Sequence, residues 1–229
     1  MHIKYIPLFI LLLVLSACTS TNKLSKSEEK AGWKLLFDGK TTNGWHNFNQ
    51  KGVTGWAVKD GQLIALSQGS NDIVSDLEYE NFELMLEWKV SPGGNSGVFF
   101  NVVESPKYSA VYATGPEYQL VDDIGFPEKL EGWQKSGANY GMHPPLVNAL
   151  KPIGEFNSTR IVVNKGHVEH WLNGQKTAEY QLWTPEWKAL LNSGKWKDFP
   201  DYGLAKRGHL ALQDHGKMTW FKNIKIRVL

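Results

Sequence analysis

Asn81-Phe82-Glu83-Leu84-Met85-Leu86-Glu87-Trp88-Lys89-Val90 is the stretch that decides the fold class. Phe82, Leu84, Leu86, Trp88 and Val90 alternate with Glu83, Met85, Glu87 and Lys89, so one face is apolar and the other mostly charged. That two-residue period predicts a half-buried antiparallel strand. Working downstream, Pro92-Gly93-Gly94 turns into Ser96-Gly97-Val98-Phe99-Phe100-Asn101-Val102-Val103. Working upstream, Gly55 to Leu66 predicts two strands around an Asp60-Gly61 turn. A three-strand meander follows over Thr159 to Asn164, His167 to Leu172 and Gln175 to Gln181, joined at Lys165-Gly166 and Asn173-Gly174. His209 to Gln213 and Thr219 to Val228 complete the strands. One short helix is expected near 185–193: Thr184 offers a cap, Pro185 suits the first turn, and Gly194 closes it. Many strands and one helix predict an all-β, two-sheet antiparallel sandwich of jelly-roll type.

Composition narrows the function. The 229 residues carry 25 Lys+Arg against 23 Asp+Glu, a net charge of +2, which gives no electrostatic case for nucleic acid. A single Cys excludes a disulfide framework and a thiolate zinc cluster. Ten Trp suit a sandwich core, and indole faces also suit the C–H surface of sugars.

The amino terminus predicts an address. Ile6 to Leu15 is apolar but too short for a stable membrane span. Leu15-Ser16-Ala17-Cys18 resembles the lipobox of bacterial lipoproteins, in which the cysteine is lipidated; an ordinary signal peptide with an incidental cysteine is the alternative. On this basis residues 1–17 are a signal peptide and 18–31 a lipidated Cys18 with a flexible polar tether. Residues 32–229 form the folded domain, held on the bacterial cell envelope at its periplasmic or outer-membrane face. The anchor makes the membrane a partner; several acyl chains rather than protein charge would hold it.

Known catalytic signatures are missing: no Gly-rich phosphate loop, His-Glu-x-x-His, Gly-x-Ser-x-Gly or laminarinase-type Glu-x-Asp-x-x-Glu occurs. Three polar clusters remain. In Gly115-Pro116-Glu117-Tyr118-Gln119-Leu120-Val121-Asp122-Asp123, Glu117 and Gln119 share a strand face, with two Asp at the strand end; a solvated outer face fits the same pattern. Gly208 to Gly216 brings Gln213, Asp214 and His215 into one turn, which a plain surface turn also explains. Gly93-Gly94-Asn95-Ser96-Gly97 allows close backbone approach, or is an ordinary glycine turn. Asn101, Tyr140, His143 and Trp171 are further candidate substrate contacts, although a loop histidine is commonly polar surface and Trp171 suits packing.

Trp33-Lys34-Leu35-Leu36-Phe37-Asp38-Gly39-Lys40, Gly44-Trp45, Asp60-Gly61 and Asn81-Phe82-Glu83-Leu84 open a resemblance. Gly94 to Phe100, Gly115 to Gln119, Glu169 to Gly174, Ala211 to Gly216 and Phe221 to Ile226 continue it. In this order they resemble the 3-keto-disaccharide hydrolase domain family across essentially all of residues 32–229. The resemblance implies a concanavalin-like jelly roll, secreted or lipid-anchored, acting on glycosides oxidised at C3. Members often carry Arg where this chain has Asn101, and Asn supplies no charged fork. A C3 ketone acidifies the C2 hydrogen, so one base suffices to start cleavage. The implied roles are Glu117 or Asp122 as base, His215 as acid, and Asn95, Gln119 and Gln213 as orienting donors. A divalent cation held by Asp122, Asp123, Asp214 and His215 is an alternative stabiliser of the developing charge; Asp123 and Asp214 are its foremost candidate ligands. A lectin-like carbohydrate-binding lipoprotein without catalysis is the competing expectation, and fold alone does not separate the two.

Overall fold

In a computed structural model the described residues are 21–66 and 71–229, so Cys18 and the apolar leader lie outside them. The described residues form two α-helices, thirteen strands and three short 3₁₀ turns. Helix α1 is Lys26–Lys30, and the first strands are β1 (Lys34–Leu35), β2 (Trp45–Asn47), β3 (Trp56–Lys59) and β4 (Gln62–Ala65). Then come β5 (Ile73–Tyr79), β6 (Phe82–Val90), β7 (Asn95–Val102) and β8 (Glu117–Val121). The meander is β9 (Asn157–Asn164), β10 (His167–Leu172) and β11 (Gln175–Gln181). Helix α2 (Pro185–Ser193), β12 (Gly208–Leu212) and β13 (Thr219–Val228) end it.

The strands form two antiparallel sheets, as the alternating pattern predicts. The larger runs β11-β10-β9-β6-β13-β4-β3, with β1 on the far half of β13; the smaller runs β2-β5-β12-β7-β8. The deciding strand β6 sits in the middle of the larger sheet, between β9 and β13. Its apolar face packs inward: Phe82, Leu84, Leu86, Trp88 and Val90 are all buried, against Phe100, Tyr118, Leu120, Leu210 and Leu212 of the smaller sheet. Each such side chain contributes about 1.5–3 kcal/mol on leaving water. On the outward face, Glu83 accepts hydrogen bonds from both Arg160 and Arg227, tying β6 to the strands on either side.

Hairpin turns follow the sequence signals. Asp60-Gly61, Lys165-Gly166 and Asn173-Gly174 all have positive φ at both central residues, the type I′ geometry whose twist matches paired strands. Helix α2 occupies the expected residues, with the Thr184 hydroxyl accepting the Trp187 N–H.

The amino-terminal segment departs from expectation. The polar stretch read as a flexible tether is docked from Asn22 onward. The Asn22 side chain is buried, donates to the Gly61 carbonyl at 2.8 Å and accepts the Asn223 N–H at 2.8 Å. Helix α1 follows, closed by a Ser25–Glu28 capping box and held to β13 by the Glu28–Lys225 ion pair. Side-chain amides and caps, rather than an apolar stripe, hold this segment, so hydropathy gives no sign of it.

Candidate active site

The outward face of the smaller sheet carries the polar clusters. Gly97 pairs with Gln119 of β8, and the Gln213 N–H donates to the Gly97 carbonyl at 3.0 Å. On the other side of β12, the Asp214 N–H donates to the Asp72 carboxylate at 3.0 Å. Asp72, Gln213, Gly97 and Gln119 therefore cross the sheet in one row. The neighbouring row is Glu117, Phe99, Ala211 and Val74, in register across four strands. Its three apolar members form a small buried floor with Val102 and Val111.

Glycine at 97 is required by Glu117. A Cβ there would collide with the Glu117 carboxylate, so the missing side chain is the slot into which that group reaches. Glu117 is 4% exposed and lines a cleft of about 300 Å³ with Asn95, Tyr112, Gln119, Tyr140, Lys195, Trp196, Phe199, Gln213 and His215. Burial pushes its carboxyl up to about 8, with the Lys195 charge working against that rise and the Asp72 charge adding to it. Gln119 Nε2 donates to Asn95 Oδ1 at 3.0 Å, which leaves the Asn95 amide hydrogens for a ligand. Lys195 Nζ donates to the Tyr140 hydroxyl at 2.8 Å and lies 4.0 Å from the centre of that ring.

Loops supply the walls. Tyr112 sits on the 3₁₀ turn Val111–Ala113; Lys195 and Trp196 sit on the 3₁₀ turn Lys195–Asp198 that follows α2. Trp196 is buried, its indole N–H bound to the Tyr140 carbonyl at 3.0 Å and its ring stacked on Tyr202 at 4.0 Å. An aromatic wall beside a polar, ionisable floor suits a sugar ring, whose C–H face is apolar and whose rim carries hydroxyls.

A second groove of about 460 Å³ adjoins the cleft and shares Tyr112, Gln213 and His215 with it. Asn47, Asp72 and Asp214 also line it. Burial pushes the Asp72 carboxyl up to about 7; the Asp214 N–H bond opposes this and the Asp214 charge reinforces it. Two carboxyl groups near neutrality in adjoining hollows form an acid–base constellation.

The structure gathers Asn95, Glu117, Gln119, Tyr140, Gln213 and His215 into one cleft, and Asp214 beside it. The other expected residues lie elsewhere. Asp122 accepts the N–H groups of Gly93 (2.8 Å), Gly125 (2.9 Å) and Ile124 (3.3 Å), so it closes a turn and is not among the cleft residues. These bonds outweigh its burial and hold its pKa down. Asp123 accepts the Ser136 N–H at 2.9 Å. Neither Asp joins Asp214 and His215 in a cation cage. Among the described residues, three such ligand atoms within 4.8 Å of one another occur only at His167, Glu169 and Glu179, on the other sheet. There Lys176 already binds both carboxylates, at 2.7 and 2.8 Å.

Asn101 takes a left-handed φ of 55° at the end of β7, is fully buried, and donates to the Ala205 carbonyl at 2.9 Å. His143 stacks on Tyr180 at 4.9 Å, the first ring of a ladder through Trp187, Tyr202 and Trp196. Trp171 is on the larger sheet, its N–H bound to Glu169 and its ring under Arg160 and Lys176. Tyr112, Lys195, Trp196 and Phe199 in the cleft, and Asp72 in the groove, are site residues that sequence reasoning missed. Lys195 follows a helix-ending glycine, and Asp72 precedes a strand whose alternation is broken by the exposed Leu77.

Comparison with known proteins identifies the family. A protein of Bacteroides thetaiotaomicron named 3-keto-disaccharide hydrolase is 34% identical, over 86% of this chain and 79% of its own length. The crystal structure of a candidate glycosyl hydrolase from Parabacteroides distasonis superposes with a TM-score of 0.88 at 44% identity, covering 92% of this chain and 100% of that one. A carbohydrate-binding module of Bacillus subtilis shares the fold at 12% identity, with a TM-score of 0.52 over 80% of this chain and 94% of its own. With residues 32–227 matching its pattern, the chain belongs to the 3-keto-alpha-glucoside-1,2-lyase-like domain family.

Proposed function

We propose that the cleft cleaves glycosides whose ring carries a ketone at C3, disaccharides among them, by removing the C2 proton and expelling the C1 substituent. The observation that carries this reading is Glu117: a buried carboxyl held near neutrality, beside a lysine, in a sugar-sized cleft. Ionised Glu117 takes the C2 hydrogen, and the C–H electron pair moves into the enolate on the C3 oxygen. Lys195 and the free Asn95 amide hydrogens are placed to stabilise that oxyanion; donors of this kind contribute about 2.7–4 kcal/mol each to a transition state. Collapse of the enolate restores the ketone, forms the C1=C2 bond and breaks C1–O. Addition of water across C1=C2 then completes a net hydrolysis. Tyr112, Gln213 and His215, common to cleft and groove, mark where the glycosidic oxygen lies. No second glycosidase carboxylate is needed to attack C1.

The family membership and the hydrolase relative support this chemistry over binding alone. The test is turnover of a 3-keto-disaccharide and of its unoxidised parent, with Glu117→Gln alongside. Wild type should cleave only the keto sugar, and Glu117→Gln should lose at least ~10²-fold. Full activity in Glu117→Gln, or tight binding with no product, overturns the proposal.

The Leu15-Ser16-Ala17-Cys18 stretch supports attachment of the domain to the cell envelope through a lipid on Cys18. With Asn22 docked, only four residue steps separate the anchor from the fold, at most about 14 Å of extended chain. The domain would then sit close against the membrane. Fatty-acid labelling of wild type but not of Cys18→Ser tests this.

A further inference from the structure

Departure of the aglycone oxygen requires a proton, and the titratable side chains lining the groove beside the cleft are Asp72, Tyr112, Asp214 and His215. His215 is exposed on the turn after β12. Asp72 is half-buried, and one carboxylate oxygen is fixed by the Asp214 N–H while the side chain lines the groove. Asp214 also lines the groove. It is 2% exposed, accepts the Gly216 N–H through Oδ1 at 3.2 Å, and its buried Oδ2 meets no hydrogen-bond partner. Burial and the neighbouring Asp214 charge push the Asp72 carboxyl up, against the pull of the Asp214 N–H. The titratable groups sharing the groove with Asp72 are Tyr112, Asp214 and His215, and the Asp72 charge is felt at Glu117 across the sheet.

We propose that Asp72 is the proton donor to the leaving-group oxygen and, in the second half-reaction, the base that activates water. This rests on the cleft acting on 3-keto-glycosides with Glu117 as base. In the first half, Glu117 gains the C2 proton, C1–O breaks, and the aglycone oxygen takes the Asp72 proton to leave as an alcohol. In the second half, ionised Asp72 takes a proton from water as its oxygen bonds to C1, and Glu117 returns its proton to C2. Both carboxyls regain their starting states, and the net change is addition of one water.

The experiment compares two leaving groups. A 3-keto-disaccharide expels a basic sugar alkoxide; a 4-nitrophenyl 3-keto-glucoside expels a stable phenolate that needs no acid. Asp72→Asn retains an oxygen to accept the Asp214 N–H. It should lose on the order of 10²–10⁴-fold in kcat/KM with the disaccharide and under about tenfold with the nitrophenyl substrate. Retained nitrophenyl turnover also shows that the variant is folded. An equal loss on both substrates, or a leaving-group-selective loss in His215→Ala instead, overturns the assignment. Failure of the underlying reading looks different: Glu117→Gln would then retain turnover of both substrates.

Discussion

Gly97 and Glu117 occupy the same space: the carboxylate of the second fills the volume that a side chain on the first would need. Gly97 lies in β7 and is not among the positive-φ glycines, so Ala suits its backbone and the conflict is purely steric. Gly97→Ala should fold, at an overpacking cost of about 1–3 kcal/mol, and should displace Glu117. Activity on a 3-keto-glycoside is expected to fall at least ~10²-fold with the melting transition still cooperative. Near-normal turnover would show that the Glu117 position is unimportant.

The pH dependence follows from the two carboxyls. Glu117, raised to about 8, must be ionised, so kcat/KM should climb as pH rises toward 8. Asp72, raised to about 7, must be protonated, so kcat/KM should fall above 7. The product of these opposing demands is a bell centred between the two values, with only a minority of molecules correctly protonated. On the nitrophenyl substrate, whose leaving group needs no acid, that alkaline limb should be absent already in wild type.

Lys195 lowers the Glu117 pKa and so opposes the effect of burial. Lys195→Met removes that opposition, so on the nitrophenyl substrate the rise of kcat/KM with pH should move to higher pH, and loss of the oxyanion donor should lower kcat by about 10²-fold. An unchanged profile would place Lys195 outside the chemistry.

The sheet was legible because its signals are local: the alternation over β6, three positive-φ hairpin turns and the Thr184-Pro185 helix start each act within a few residues. The site was legible where it falls on those strands, as Glu117 and Gln119 do. Lys195 comes from a helix–loop junction, and Asp72 joins the row through long-range pairing: its neighbour Ile73 pairs with Leu212, and its carboxylate accepts the N–H of Asp214, 142 positions away. Asp122 and Asp123 carry the right chemical type, but backbone N–H groups claim them for turns, and no sequence spacing reveals that.

The docked amino-terminal segment carries a stability consequence. Asn22→Ala removes bonds to Gly61 and Asn223 and leaves their partly buried polar groups without these partners, at a cost of about 1 kcal/mol. A chain beginning at Gly32 should melt below one beginning at Thr21. Equal melting temperatures would make this segment a spectator.

Glu83 gives an acid-side prediction. Burial pushes its pKa up, but the hydrogen bonds from Arg160 and Arg227 prevail and hold it below its ordinary value. A group depressed on folding stabilises above its unfolded pKa and loses that contribution as pH falls through its folded one. Glu83→Gln should therefore cost about 2 kcal/mol at pH 7 and much less near pH 3, read from denaturant melts.

The most direct test of the chemistry is deuterium at C2 of a 3-keto-disaccharide, followed by mass spectrometry and rate. Cleavage should be slower for the C2-deuterated sugar, and reaction of the unlabelled sugar in heavy water should place deuterium at C2 of the product to the extent that protonated Glu117 exchanges with solvent before returning its proton. Cleavage at an unchanged rate, with the C2 label fully retained, would contradict the account.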